Sequence, residues 1–130
     1  DVFLSAAQEV FEDEPFLIWE RMPYLRHTRQ AAVGMMAEDW LAKNNIRVHD
    51  LMEMGSLENL ASMVAHGLGV AIGPNICVPD PSFEQLRKIS LGPSAPRRTL
   101  GILTRSDCSK LKLLEPLLAQ IKLTIAESEG

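Results

Sequence analysis

The spacing of apolar residues in the middle of the chain predicts a strand, a helix and a second strand joined by short connections. Between positions 46 and 54 the apolar residues fall mostly on one parity, as on one side of a strand. Between positions 57 and 64 they recur at helical spacing, and positions 69–72 form a short apolar run that stops at Gly73 and Pro74. This order is a βαβ unit, which indicates an α/β protein.

The helix of this unit has recognisable ends in the sequence. Ser56 stands where an N-cap side chain is expected, and Gly67 stands where a left-handed residue ends a helix. Leu68 then occupies the position that packs back on Met63 in a Schellman motif. We therefore predict a helix that begins directly after Ser56 and ends before Gly67.

The elements at the start of the chain are predicted from shorter patterns. Ser5 and Gln8 have the spacing of a capping box, which predicts a brief helical turn ending near Phe11. The apolar run Phe16–Trp19 has the length of a buried strand, although so short a run is ambiguous by itself. Residues 20–27 contain a proline and several polar side chains, and they are expected to form a loop.

A longer helix is predicted between residue 33 and Asn44–Asn45. Its apolar residues recur at intervals of three and four positions, which places them on one face. These residues are Val33, Met36, Ala37, Trp40 and Leu41.

Beyond the βαβ unit, the proline-rich residues 75–84 are expected to form a loop. Two segments with apolar centres, Leu86–Leu91 and Arg98–Arg105, predict strands. A last helix is predicted over 113–127, where Pro116 suits the first turn. The apolar face of this helix is expected to point inward and consists of Leu114, Leu117, Leu118, Ile121 and Ile125.

Composition narrows the class of protein. The 130 residues are 46% apolar and 23% charged, which is enough for one domain with a core and argues against disorder. The net charge is −4 and no basic stripe is visible, so direct DNA binding by this segment is not expected. No signal peptide and no apolar run of about 18–20 residues is present, so no membrane contact is expected. A start at Asp1 rather than Met indicates a fragment or a trimmed chain.

The two cysteines carry little information. Cys77 and Cys108 are able to form one bridge, but two thiols without close spacing favour the simpler interpretation of two reduced, partly buried side chains.

The segment from Glu53 to Pro74, EMGSLENLASMVAHGLGVAIGP, strongly resembles the effector-binding domain of LysR-type transcription regulators. In that family a strand ends at an acidic residue, a Ser-capped helix follows, and Val-Ala-x-Gly-x-Gly-Val leads into a strand that closes in Pro. The resemblance implies an open, Rossmann-like α/β sheet with flanking helices, similar to one lobe of a type 2 periplasmic binding protein.

The resemblance also implies that the chain is only part of such a protein. Residues 1–97 are similar to the second subdomain of the effector-binding domain. Residues 98–130 are similar to the strand and C-terminal helix that return to the first subdomain. The winged helix-turn-helix, the linker helix and the first half of subdomain one would then lie outside this chain.

Candidate effector contacts follow from the expected topology, because open α/β sheets bind ligands beyond the carboxyl ends of their strands. Connections at such ends are expected after Trp19, Met54 and Ile72. The sharpest candidate is the corner before the predicted helix, where backbone N–H groups and the helix dipole favour an anion. The candidate effector-binding residues are Arg21, Tyr24, Arg26, Thr28, Met54, Gly55, Ser56, Gly73 and Pro74.

Several of these residues also have a purely structural interpretation. Ser56 either offers its hydroxyl to the effector or uses it to cap its own helix, and the two roles are compatible. Arg21, Arg26 and Arg29 either pair with an effector carboxylate or are solvated. Pro74 either forms a wall of the cleft or only ends a strand.

No enzyme, metal or cofactor site is predicted. His27, His49 and His66 are far apart and lack metal-ligand spacing, so surface or hydrogen-bonded core positions are expected for them. No nucleophile with a base and an orienting group is evident, and no glycine-rich phosphate loop precedes a helix.

The sequence thus predicts a ligand-sensing module of a bacterial LysR-type regulator that binds a small, anionic metabolite. DNA would be contacted only through the absent N-terminal domain, and the resemblance implies a cytoplasmic homo-oligomer, a dimer or tetramer. A fragment of a periplasmic-type solute-binding protein is the alternative, and a small α/β enzyme is the third hypothesis.

Overall fold

The computed structural model describes residues 2–8, 10, 12, 14–75 and 85–129. The expected loop over 75–84 and Cys77 therefore lie almost wholly outside the described residues. Contacts between Cα atoms divide the chain into two compact units, Asp1–Arg98 and Thr99–Gly130.

Within the part that the structure describes, the first unit holds strands β1–β5 and helices α1–α3. In chain order these are β1 (Val2–Ala7), α1 (Pro15–Arg21), β2 (Pro23–His27), α2 (Ala32–Lys43), β3 (His49–Met54), α3 (Leu57–Ala65), β4 (Ala71–Pro74) and β5 (Leu86–Ser90).

Strand β1 is the middle strand of a three-stranded antiparallel sheet. It pairs with β4 through Val2 and Pro74, and with β5 through Phe3 and Ser90. Burial alternates along β1, with Val2, Leu4 and Ala6 fully covered. Pairing on both edges therefore fixes this segment as a strand.

Strands β2 and β3 form a separate parallel pair that Val70 links to the other sheet. The N–H of Leu25 donates to the Val70 carbonyl at 2.9 Å, and the N–H of Val70 donates to the Pro23 carbonyl at 2.9 Å. Tyr24 and Val70 thus form a parallel bridge just before β4. The expected α/β class is confirmed, with a mixture of parallel and antiparallel pairs.

Two apolar cores lie on opposite faces of the strands. Successive side chains of a strand point to opposite faces of the sheet. Tyr24 therefore belongs to one core, and its neighbour Leu25 belongs to the other. The first core packs beneath α1 and α2, where Trp19, Tyr24 and Trp40 meet. The second core packs beneath α3 and contains Leu25, Leu60, Ala61, Val64, Ala71 and Leu86.

Both predicted ends of α3 are confirmed. The Ser56 hydroxyl oxygen accepts from the Asn59 N–H at 3.2 Å. At the other end Gly67 has φ +77°, its N–H donates to the Val64 carbonyl, and the Leu68 N–H donates to the Met63 carbonyl at 3.2 Å. These two bonds are the Schellman pair. The predicted helix α2 is also confirmed.

Three predictions for the first 27 residues are wrong. The expected turn at Ser5–Gln8 falls largely within β1, since pairing with two distant strands outweighs a local capping pattern. The expected strand Phe16–Trp19 is part of helix α1. The expected loop over 20–27 contains the last residues of that helix and then strand β2.

Residues just before the apolar run explain why helix α1 forms there. Pro15 lies at its first position, and the Glu14 carboxylate accepts from the Phe16 N–H at 3.4 Å. Ile18 and Trp19 are buried whereas Phe16 is exposed, as one face of a helix requires.

The second unit consists of an irregular segment with turns and helix α4 (Leu111–Glu129). The predicted strand at Arg98–Arg105 is wrong, because these residues form neither helix nor strand. Helix α4 begins before the predicted start, so Pro116 lies in its interior rather than in its first turn. The expected inward face is largely uncovered, with Leu117 49% and Leu118 40% exposed.

Candidate functional site

The carboxyl ends of β2 and β3 meet at the corner that leads into α3. The Thr28 N–H donates to the Met54 carbonyl at 2.9 Å, and His27 faces Met54 across the pair. Gly55 and Ser56 follow directly. The structure thus brings together four of the residues predicted from the sequence as effector contacts: Thr28, Met54, Gly55 and Ser56.

The backbone at this corner is open. Gly55 is exposed, and a Cβ atom added there would meet no heavy atom within 4 Å. An added side chain would therefore fit the fold and take up part of the open space beside Gly55. That space is reachable by a small molecule, which could then contact the backbone directly.

The Ser56 hydroxyl group is engaged inside the chain. Its oxygen accepts from the Asn59 N–H, and its hydrogen is donated to the Glu58 carboxylate at 2.9 Å. Ser56 thus caps its own helix, which is the structural role predicted for it from the sequence. The corner also holds a carboxylate of the chain itself, which shows the charge that this helix N-terminus favours.

Arg26 is a buried cation in a partly buried ionic network. Its residue is 5% exposed. Its Nε and Nη2 donate to Asp50 Oδ1 at 2.9 and 2.6 Å, and its Nη1 forms an ion pair with Glu38. The guanidinium carbon also lies 5.1 Å from the centre of the Tyr24 ring. Both carboxylates come from this chain, so Arg26 is committed to holding β2, β3 and α2 together.

Arg29 extends the same network at the surface. Its Nη1 donates to Glu53 Oε2 at 2.9 Å, its backbone N–H donates to Glu53 Oε1 at 3.1 Å, and its Nε lies 3.5 Å from Glu38 Oε2. A surface depression of about 230 Å³ lies between these residues, with Leu51 and Met52 in its wall. Arg21 stands apart, exposed in the last turn of α1.

Tyr24 lies in the core rather than at an open cleft. It is 1% exposed and contacts Trp19 edge to face, with ring centroids 5.6 Å apart. Burial raises the pKa of the Tyr24 phenol to about 12, although the nearby Arg26 cation acts in the opposite direction. The phenol therefore stays protonated at neutral pH.

Gly73 and Pro74 line a small cavity beneath α3. The cavity holds about 20 Å³, which is room for a single water molecule. Leu57 and Ser5 also line it, so β4, β1 and the first turn of α3 converge there. The candidate residues of β4 thus line a small cavity together with the first turn of α3.

His27 is a feature that the sequence did not reveal. It is 6% exposed, and its Nδ1 has no hydrogen-bond partner in the described part of the chain. His27 is thus a core histidine with one ring nitrogen unpartnered among the described residues, whereas His49 and His66 are exposed. Only the tertiary structure shows this, because a histidine at the end of a strand has no sequence pattern that marks it.

The described residues contain no cluster of three or more His, Cys, Asp or Glu side chains arranged to hold a metal ion. Cys108 carries a free thiol. No helix among them is long and apolar enough to cross a membrane.

Three comparisons place this architecture among known proteins. The HTH-type transcriptional regulator YraN of Bacillus subtilis (strain 168), itself uncharacterized, is 33% identical over 76 residues, which cover 58% of this chain and 25% of the relative. The effector binding domain of QuiR, solved in complex with shikimate, superposes with a TM-score of 0.60 at 12% identity over 75% of this chain and 47% of that domain.

The chain therefore spans about a quarter of the curated relative and about half of the solved domain. At this identity the structural match shows the fold alone, which is that of an effector-binding domain. Residues 7–124 match the family described as LysR substrate binding domain, and this match covers most of the chain. The protein belongs to the LysR substrate binding domain family.

Proposed function

We propose that this chain is part of the ligand-sensing module of a bacterial LysR-type transcription regulator. The observation that carries this proposal is the open corner at Gly55–Ser56, where the ends of β2 and β3 meet the N-terminus of α3. Backbone N–H groups and the helix dipole favour a small anionic effector there.

The family match supports a sensor over the alternatives. The matched relative is a regulator and the structural neighbour is an effector-binding domain, so the solute-binding-protein alternative is not favoured. The neighbour binds shikimate, a small carboxylate, and a metabolite of this class is our proposed effector. We expect binding without turnover, hence no enzymatic role.

The division of the chain into two units supports a partial domain. We assign residues 1–97 to the second subdomain, and residues 98–130 to a segment and helix that return to the first. The uncovered leucines of α4 would then pack against the rest of that first subdomain.

The other partners follow from the regulator role. We propose that the complete protein is a cytoplasmic homo-oligomer, a dimer or tetramer, and that it contacts DNA through an N-terminal winged helix-turn-helix. The reading frame upstream of Asp1 tests this directly, since a regulator must encode that domain there.

The effector must bind two conformations of the protein with different affinities, because equal affinities would leave the equilibrium between them unchanged. A thermal-shift screen of small carboxylates, with shikimate included, therefore suits the complete protein. We expect stabilisation by a subset of them, and calorimetry then gives the affinity of each.

Gly55→Val tests the location of the site. The added side chain projects into the open corner, so we expect at least a tenfold weaker affinity. Gly101→Val is the matched control, because Gly101 is also exposed and a Cβ there meets nothing within 4 Å. Tight binding that survives both Gly55→Val and Ser56→Ala would contradict the site assignment.

A further inference from the structure

We propose that helix α4 pairs with α4 of a second copy of this chain, in antiparallel orientation. The inference goes beyond the proposed sensing function and does not depend on the effector site, because it names a surface through which two copies meet.

The first support is an apolar seam along α4 that the described part of the chain leaves largely uncovered. Its residues recur at alternating intervals of three and four positions, which is the spacing of a contact between two helices. In the middle of the seam Leu118 is 40% and Ile121 36% exposed. A continuous apolar strip of this kind marks a contact with another protein surface. The seam consists of Leu111, Leu114, Leu118, Ile121 and Ile125.

The second support is the order of charges beside the seam, which identifies the occupant as a second copy. Glu115 and Lys122 are exposed and directly follow two seam residues, so both lie on the same side of the seam. They are about two helical turns apart, which is too far for an ion pair along one helix. In an antiparallel pair of identical helices, each carboxylate faces the ammonium group of the other copy. The contact occurs twice, because the pair is two-fold symmetric.

The third support is that one register satisfies both the charges and the apolar residues. When the two-fold axis passes between Ala119 and Gln120, Leu118 packs on Ile121 of the second copy. The same register places Glu115 beside Lys122 of that copy. The helix has 19 residues and a length of about 28 Å, so the two seams overlap almost completely. A parallel pair would not bring these two charged positions together.

The apolar face of α4 is wider than the seam. Leu113 and Leu117 are 66% and 49% exposed, and they lie beside the seam on the side away from Glu115 and Lys122. These two leucines remain available to the rest of the first subdomain. Pairing of two copies is therefore compatible with the return of α4 to that subdomain.

The test measures the mass of the 130-residue chain by sedimentation equilibrium over a range of concentrations at low salt. We expect monomers of 14.4 kDa in equilibrium with dimers of twice that mass. Leu118→Gln should weaken dimerisation at least tenfold, because each copy loses a buried apolar side chain. Leu123→Gln is the matched control, since Leu123 is 57% exposed on the opposite side of the same helix, and it should leave the affinity unchanged.

Charge variants test the antiparallel register while the apolar seam stays intact. Glu115→Lys and Lys122→Glu each place like charges at both contacts of the symmetric pair, so each variant alone should dimerise about tenfold more weakly. An equimolar mixture of the two variants should recover the parent affinity, because each copy then meets the opposite charge at both contacts.

A chain that is monomeric at every concentration would show that α4 is not a contact between copies. A dimer that Leu118→Gln leaves unchanged would place the interface elsewhere and overturn the inference. A mixture of the charge variants that associates no more tightly than either variant alone would overturn the antiparallel register. None of these results bears on effector binding, which the carboxylate screen decides separately.

Discussion

Arg26 donates three hydrogen bonds to Asp50, from Nε and Nη2 to Oδ1 and from Nη2 to Oδ2 at 2.8 Å. Asp50 of β3 pairs with Tyr24, two residues before Arg26 in β2, so this fork joins the strands diagonally through their side chains. Because Glu38 of α2 pairs with the same guanidinium, one cation fixes three elements behind the open corner.

Replacement of Arg26 by Lys should therefore destabilise the first unit, although the charge is kept. A lysine ammonium cannot reproduce the planar fork, so part of the carboxylate pairing is lost. We expect a loss of about 2 kcal/mol, below that of a fully buried pair because Asp50 is 51% exposed. The free energy of unfolding, measured in urea for the variant and the parent chain, gives this loss. Arg105→Lys, in the exposed pair with Asp107, should change stability by less than about 0.5 kcal/mol.

Gly34→Ala should be strongly destabilising. Its Cβ would overlap the Thr28 carbonyl oxygen and lie 2.7 Å from the carbonyl carbon, both of them backbone atoms that cannot rotate away. Separating α2 from the sheet should cost roughly 1–3 kcal/mol, as overpacking does. Gly55→Ala is the comparison, since the space there is empty. Equal denaturation midpoints for the two variants would contradict the close approach of α2.

Stability should decline at alkaline pH because of Tyr24. Its pKa is about 12 in the folded chain against an ordinary value of 10.0, so the folded state holds the proton more tightly. The contribution is complete below pH 10 and is lost as pH rises from about 10 to about 12. Two pKa units correspond to roughly 3 kcal/mol.

The tyrosinate absorbance measures this directly, because Tyr24 is the single tyrosine of the sequence. In folded protein the absorbance should rise near pH 12, and in urea-unfolded protein near pH 10. Tyr24→Phe should abolish the decline in stability in that window. A folded-state midpoint near 10 would show that the phenol is solvated.

Pro116→Ala should stabilise helix α4. Pro116 lies inside the helix, where it offers no N–H to the Lys112 carbonyl one turn earlier. Restoring that bond should add up to about 3 kcal/mol to the helix and raise its ellipticity. Gln120→Ala, at an exposed interior position of the same helix, is the control and should have little effect. Unchanged ellipticity with Pro116→Ala would place the helix start after Pro116.

Local patterns predicted those parts of the structure that local interactions determine. The cap at Ser56 and the left-handed Gly67 each depend on residues within one helical turn, so α3 was predicted with both ends. The pattern failed at β1, whose pairing partners lie in β4 and β5, and at Phe16–Trp19, where Pro15 and Glu14 favour a helix.

The candidate site was predictable in part for the same reason. The Gly55–Ser56 corner belongs to the predicted βαβ unit, and the structure places it at the strand ends as expected. The ion pairs of Arg26 were not predictable, because only the folded structure brings Glu38 and Asp50 next to its guanidinium group. The unpartnered His27 likewise depends on what surrounds it in space, which no spacing along the chain encodes.

The pairing of β1 also has a consequence for how the chain is made. β1 leaves the ribosome before every other strand described, yet it is the middle strand of its sheet. Val2 pairs with Pro74 and Phe3 with Ser90, so both edges of β1 stay open until β4 and β5 have been synthesised. Such distant pairings fold slowly and expose apolar strands to other nascent chains. Chaperone supply during synthesis should therefore govern the yield of folded protein.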